Sequence, residues 1–260
     1  MSKPQETAFN PLGKRHIRSL AVGLLCGLPV LAQAQDSWEW RIAPYLWGTS
    51  LSGPVATVPG VPPVDVDASF SDILDNLDFA GMVVLQARNG RWGFSGDVQY
   101  VKLSAGSGSL APTFGQANAK IRNTIVSLYA DYQLGQGLEH ELWVSGGFRH
   151  WSVSTDLSLT AGTSPARTAN GSDSWIDPVI GIYGRRDIGE RTYVSGWAYV
   201  GGFGAGSDHM VDLFGGLGYQ FTPTTSGVLG YRYMSVDRTN GSFLYDVEQQ
   251  GPLMGVVFNF

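Results

Sequence analysis

Pro252-Leu253-Met254-Gly255-Val256-Val257-Phe258-Asn259-Phe260 is the stretch that decides how the rest of the chain is read. Side chains of a strand alternate between its two faces, so Pro252, Met254, Val256, Phe258 and Phe260 share one face. Leu253, Gly255, Val257 and Asn259 share the other. One face is continuous grease and the other is mixed. A strand of this kind needs an apolar medium on one side and a polar or crowded one on the other.

Working back along the chain, the same period recurs in segments long enough for tilted membrane strands, which take about 9–11 residues. Ten are expected, at 38–49, 78–88, 91–103, 121–134, 139–155, 175–186, 192–203, 208–221, 228–236 and 247–260. Asn89-Gly90 is expected to form a two-residue type I′ hairpin turn between the second and third. Further turns are expected around Gly135-Gln136-Gly137, Asp187 to Glu190, Gly204 to Ser207, Thr222 to Thr225 and Asn240-Gly241. Phe70-Ser71-Asp72-Ile73-Leu74 reads as a helical turn inside a long Pro/Asp-rich loop. An even strand number returns the chain to the side on which it started, and ten satisfies this; eight is the alternative if two hairpins merge.

The N-terminal segment carries Lys14, Arg15, His16 and Arg18, then an apolar run from Leu20 to Leu31, then Ala32-Gln33-Ala34. That order is expected to be a secretory signal peptide over residues 1–34, leaving 35–260 as the folded part. The run is shorter than the roughly 20 apolar residues a spanning helix needs. Cys26 falls within it, so the remainder has no thiol and neither disulfide nor thiolate chemistry. Taking Lys3, Lys14, Arg15, Arg18 and Glu6 from the 17 basic and 22 acidic residues leaves 13 against 21, a net of about −8. A chain so acidic is a poor nucleic-acid binder, because that binding rests on neutralising phosphates. The 35 glycines and 12% aromatics fit many strands joined by tight turns.

In hydrocarbon every backbone amide must be paired, so exposed strands are tolerated only when the sheet closes on itself. Closure predicts which side chains point out. Ile176, Pro178, Ile180 and Ile182 oppose Asp177, Tyr183 and Arg185; Val126, Leu128 and Ala130 oppose Ser127, Tyr129 and Asp131. On this assignment the inward charges are Glu39, Arg41, Arg88, Asp97, Asp131, Glu141, Arg149, Asp177, Arg185, Asp212 and Arg232. Near-balanced signs imply a narrow lumen closed by ion pairs, with arginine suited to the task because its planar fork grips two carboxylate oxygens. A soluble barrel would reverse the faces and scatter lysines outside, yet only Lys102 and Lys120 lie beyond the signal segment. Trp38, Trp40, Trp92, Tyr132, Tyr219, Phe221, Phe258 and Phe260, near segment ends, suit interfacial girdles. The strand at 192–203 is ambiguous, because Tyr193, Trp197 and Tyr199 share a face with Ser195 and Gly201.

The final nine residues, together with Asp177 to Gly181, Gly201 to Asp208 and Gly230-Tyr231-Arg232-Tyr233, resemble segments of small bacterial outer-membrane β-barrel proteins. The resemblance covers the whole of 35–260. It implies an all-β fold, a closed antiparallel up-and-down transmembrane barrel in the bacterial outer membrane. It implies contact with outer-membrane lipid and lipopolysaccharide, and reading of the last strand by the barrel-assembly machinery through Val256, Phe258 and Phe260. It names no substrate. The expectation is a non-enzymatic barrel with a salt-bridged lumen and a structural, binding or passage role, with a small-solute channel as the alternative.

Enzymatic readings fare worse. Outer-membrane lipid A deacylases pair His and Ser two apart on a strand; His150 and Ser152 share that spacing, with Asp156 at the right parity in place of a Glu. Omptin proteases place carboxylates and a histidine at the outer rim; Asp65, Asp67, Asp208 and His209 echo this, but adjacent Asp208 and His209 point to opposite faces. No cofactor and no metal site is expected, since His140, His150 and His209 fall on separate segments. The acidic loop with Asp65, Asp67, Asp72, Asp75 and Asp78 reads as solvated.

Overall fold

The computed structural model describes residues 38–109, 112–137 and 140–260; the expected signal segment lies outside them. The elements are β1 (Glu39–Trp47), β2 (Ser50–Ala56), β3 (Val64–Ala68), α1 (Phe70–Asp75), β4 (Leu77–Asn89), β5 (Trp92–Ser109) and β6 (Phe114–Gly137). β7 (His140–Ala161), β8 (Arg167–Asp187), β9 (Thr192–Gly201), β10 (His209–Thr222), β11 (Thr225–Asn240) and β12 (Phe243–Asn259) follow.

Sequential antiparallel pairing from β4 to β12 is closed by β1, which pairs with β4 on one edge and β12 on the other. β2 continues β1 along the same edge of β12, from Ser50↔Gln250 to Ala56↔Leu244. β1 and β2 therefore make one stave, β4 to β12 make nine more, and the barrel has ten strands rather than eight. The stave breaks at Gly48-Thr49, opposite Gly251-Pro252. Pro252 has no N–H to give a ladder, and its carbonyl accepts from Gly48 N at 2.8 Å. β3 folds back on β2 as a short hairpin. α1 is the expected helical turn, opened by a capping box in which Ser69 Oγ accepts from Asp72 N while the Asp72 carboxylate accepts from Ser69 N.

Two turns differ from expectation in register. Asn89 pairs with Trp92, so the turn residues are Gly90 and Arg91, and of these only Gly90 takes positive φ. Type I′ needs two positive φ values; a glycine alone at the first central position fits type II′. Asn240-Gly241 repeats the arrangement, with Asn240 paired to Phe243 and Gly241 at φ 60°. The turn expected at Gly135 to Gly137 is ladder instead, Gly135↔Leu142 and Gly137↔His140.

The outward face is apolar through the middle of the barrel: Leu128 is 65% exposed and Phe148 62%, while their chain neighbours Ser127, Tyr129, Gly147 and Arg149 point in. Ile176, Ile180, Leu217 and Leu229 are exposed likewise. Such a band is a liability in water and a requirement in hydrocarbon. No helix among the described residues is long and apolar enough to cross a membrane, a statement that does not bear on strands. At the end of the barrel holding Glu39 and Asn259, here the terminal end, exposed aromatics gather. Trp38 stacks on Phe94 with centroids 6.2 Å apart, Trp92 meets Tyr132 at 4.8 Å and Tyr219 meets Phe221 at 5.5 Å.

The β9 ambiguity resolves inward: Tyr193 and Tyr199 are buried, and Val194 and Val200 face out. Tyr193 lies across Gly218, where a Cβ would sit 1.9 Å from the ring, and its hydroxyl meets Ser226 Oγ at 2.8 Å. At the opposite, far end, β5 to β8 run well past the expected segments, pairing through Ser104↔Lys120 and Asp156↔Asn170.

Candidate functional site in the barrel lumen

The inward side chains divide the lumen into layers. Toward the far end it is filled with apolar and aromatic groups. Trp151 stacks on Trp175 at 5.8 Å, and Phe243 and Tyr245 meet Trp175 edge-on. Met210, Met234, Val153, Val236 and Val247 complete the plug. Above it, Thr57, which follows β2, donates to Thr155 Oγ1 on β7 at 2.9 Å and packs against Gly171 on β8. β2 and β8 are five staves apart in a ten-stave barrel, so this segment crosses the far mouth.

Beneath the plug lies a layer of buried charge. Asp212 is the hub: Oδ2 accepts from Arg149 Nη2 and Arg232 Nη2, each at 2.7 Å, and Oδ1 accepts from Arg232 Nε and Trp197 Nε1, each at 2.9 Å. Arg232 also reaches Tyr45 Oη at 2.9 Å and Asp97 Oδ2 at 3.2 Å, while Tyr45 donates to Asp97 Oδ1 at 2.8 Å. Arg149 donates to Ser127 Oγ and Tyr129 Oη, and its Nη1 meets the sulfurs of Met210 and Met234, the underside of the plug. The guanidinium of Arg232 lies over the rings of Trp47 and Trp197. Asp212, Arg149 and Arg232 are at most 1% exposed. Charges so deep are tolerated because each is paired and its remaining donors and acceptors are satisfied.

A second charged group stands near the terminal mouth. Arg88 Nη1 meets Glu141 Oε2 at 2.6 Å, and Arg88 stacks over Trp143. Arg41 donates to the side-chain oxygens of Asn259 at 2.9 Å and Gln86 at 3.2 Å. Arg185 stacks on Tyr193, 3.6 Å from its centroid, and pairs with Asp187 at 3.0 Å. Between mouth and buried layer is a cavity of about 160 Å³, lined by Ala43, Val84, Val228, Leu253 and Val257 as well as by Tyr129, Tyr183 and both charged groups.

The ten residues expected to form one lumen network thus separate. Asp97, Arg149, Asp212 and Arg232 form the buried layer, and Arg88 pairs with Glu141 at the mouth. Arg41 has no carboxylate within ion-pair distance among the described residues, and Arg185 turns to the rim residue Asp187. Asp131 accepts from Ser145 Oγ at 2.7 Å and Tyr183 Oη at 3.4 Å rather than from an arginine. Asp177, the ladder partner of Arg149, turns instead to the β9–β10 connection, where it accepts from Ser207 N at 2.6 Å and Ser207 Oγ at 2.8 Å; Trp175 Nε1 donates to the same hydroxyl. Its role is to pin the β9–β10 turn. Glu39 is exposed at the terminal rim. Val256, Phe258 and Phe260 point outward on the last stave, and Phe260 and Trp40 exchange both backbone hydrogen bonds at the seam.

Parity gives the inward direction of Tyr45, Ser127 and Tyr129 but not their partnership with the charged layer, and it leaves Trp197 undecided. Met210 and Met234 drew no attention, although inward methionines on adjacent strands signal a filled lumen.

The motifs weighed for chemistry are not assembled. His150 and Ser152 both face outward, no hydrogen bond joins them among the described residues, and Asp156 pairs with Arg122 at 2.5 Å. His209 Nδ1 is 3.8 Å from Asp237, on the outward side, with Asp65 and Asp67 on β3. No cluster of three metal-binding side chains occurs among the described residues.

No protein-family model matches the sequence, and no curated protein matches it. Solved structures do. The outer-membrane protease OmpT of Escherichia coli matches with a TM-score of 0.54 at 10% identity, over 88% of this chain and 99% of that one. The major outer membrane protein of Thermus thermophilus matches at 0.42 and 13% identity, over 86% and 100%. Neisserial surface protein A matches at 0.33 and 12% identity, over 87% and 100%. At 10% identity the likeness to OmpT is one of fold: this chain is built, like that outer-membrane protein, as a closed antiparallel β-barrel.

Proposed function

We propose that this protein resides in the bacterial outer membrane as a non-enzymatic barrel whose lumen binds a small molecule from one side and does not conduct. The observation that carries the reading is the continuous blockage of the lumen by the Arg149–Asp212–Arg232 layer and the tryptophan plug above it. A ten-stranded barrel is wider than the side-chain-filled eight-stranded case, and here the extra width is taken up by Trp151, Trp175, Met210 and Met234 on one side and by a blind cavity on the other. With the terminal end in the periplasm, the cavity faces the periplasm and the plug faces outward.

The same orientation puts Lys102, Lys120 and Arg122 on the outward face of β5 and β6, just past the apolar band at Tyr100 and Thr124. Lys102 and Arg122 pair there with Asp78 and Asp156, which leaves an excess of one positive charge beside the acyl layer, a position that suits lipopolysaccharide phosphates. Against catalysis stands the fact that, among the described residues, no serine lies within hydrogen-bond reach of a histidine.

Planar-bilayer recording of the refolded protein tests the reading. Silence at moderate voltage is expected, and steady single-channel current would establish the small-solute channel in its place.

A further inference from the structure

We infer that the terminal-side cavity is a binding site for a small monocarboxylate with an apolar body, held at its head by Arg41. The inference rests on the closed-lumen reading and adds the class of ligand.

Size comes first. The cavity holds about 160 Å³, and an apolar void of about 150 Å³ is enough for benzene. One six-membered ring or a short acyl chain fits; a sugar dimer or a phospholipid does not. Shape and surface come second. Ala43, Val84, Val228, Leu253 and Val257 make the wall on the β1, β4, β11 and β12 side, and Phe214 adds a ring. That wall rewards an apolar body over a polyol, the polar lining being supplied by Gln86, Ser95, Tyr183 and Ser195 on β4, β5, β8 and β9.

Charge comes third and selects the head group. In the buried layer, Asp97 and Asp212 face Arg149 and Arg232, and the carboxylate oxygens are taken by those arginines, Tyr45, Gln99 and Trp197. That end is neutral. The mouth is not: Arg41, Arg88 and Arg185 line the cavity against Glu141, while Glu39, Asp187, Glu190 and Arg191 stand outside it at the rim with Arg41 and Arg185. Asp131 is behind the lining, engaged with Ser145 and Tyr183. Arg41 uses two of its five N–H donors, on Nε and Nη1, and both go to neutral amide oxygens. Arg88 Nε is buried without a partner. A guanidinium in this state, part-buried and unmatched by a carboxylate, is completed by a planar carboxylate that takes parallel N–H donors. Glu141 sets the limit at one negative charge, since a second would lie against its own.

Calorimetric titration of the folded full chain in non-ionic detergent, with benzoate and hexanoate as separate probes, tests the site. At least one acid is expected to bind. The neutral isostere, benzamide or hexanamide, should bind about tenfold more weakly, as should the acid to Arg41→Gln, because a hydrogen bond to a charged group contributes about 1.5–3 kcal/mol. Val84→Trp, which fills the cavity and keeps Arg41, should abolish binding, with heat-modifiable gel migration showing that both variants fold. Preference for benzoate assigns an aromatic acid, and preference for hexanoate an acyl chain. Amide binding equal to acid binding, unchanged affinity in Arg41→Gln, or binding of neither acid overturns the inference. Binding of neither acid by a barrel silent in bilayers would leave the closed-lumen reading standing; conduction with acid binding intact would do the reverse.

Discussion

The two halves of this lumen are walled by the same strands under the same alternation, yet one is packed solid and the other encloses a void. In the far half, β7, β8, β10, β11 and β12 turn Trp151, Trp175, Met210, Met234 and Val247 inward, and flexible methionines fill what the indoles leave. In the terminal half the inward positions of β1, β4, β11 and β12 pass to Ala43, Val84, Val228 and Gly255, small enough to leave a void facing Tyr129, Tyr183 and Tyr193, while arginines reach along the wall. Barrel geometry fixes where side chains point, and side-chain volume then decides whether the enclosed space is structure or site. The Arg149–Asp212–Arg232 layer is the boundary, bonded to methionine sulfurs above and open to the cavity below.

Removing the boundary should have the largest effect. Asp212→Ala strands two buried guanidinium groups and is expected to destabilise the barrel by about 3–5 kcal/mol, the usual cost of breaking a buried ion pair from one side. Urea unfolding in detergent, followed by tryptophan fluorescence, reads it. The plug comes next. Trp151→Ala is expected to cost about 3 kcal/mol, whereas Val257→Ala, on the cavity wall, should cost about 1 kcal/mol because less contact is lost. Equal costs would erase the distinction between packed and open halves. The smallest effect belongs to the mouth. The Glu141 side chain is 36% exposed, so Glu141→Gln should cost about 1 kcal/mol or less and its cost should shrink as salt is added. The Asp212 effect should be nearly salt-independent.

How much of this could be read from the residues differs by region, for physical reasons. Where one face meets hydrocarbon, period-two alternation is enforced, and it correctly placed Leu128 outside and Asp131 inside, Ile180 outside and Tyr183 inside. The far-end extensions of β5, β6 and β8 escaped because both of their faces are polar or small, as at Ser104, Lys120 and Asn170, while β7 carries only the brief alternation of Leu157 and Leu159 past Asp156. The Asn89-Gly90 dipeptide located its hairpin but not its register, since glycine alone satisfies a type II′ turn while asparagine stays in the ladder. The β1–β2 break is set across the sheet by Pro252 and could not be read from β1 itself.

For the site, parity told which charges face inward but not which of them meet. Partners in a tilted barrel are fixed by stagger between distant staves, so Arg232 finds Asp97 and Tyr45 across the lumen while Arg41, equally inward, finds only amides. Asp177 stands directly beside Arg149 in the β7–β8 ladder, yet its carboxylate is taken by Ser207. The cavity was invisible for the same reason, being a difference between volumes contributed by strands far apart in sequence.

On the closed-lumen reading, the lumen is accessible from the terminal end as far as the charged layer and sealed beyond it. Since the described residues contain no cysteine, single cysteines can report this in a Cys26→Ser background. A small, membrane-impermeant thiol reagent should label Val257→Cys, on the cavity wall, and leave Val247→Cys, in the plug, unmodified until the barrel is unfolded. Labelling of both at similar rates in the folded protein would mean an open lumen and would contradict the account.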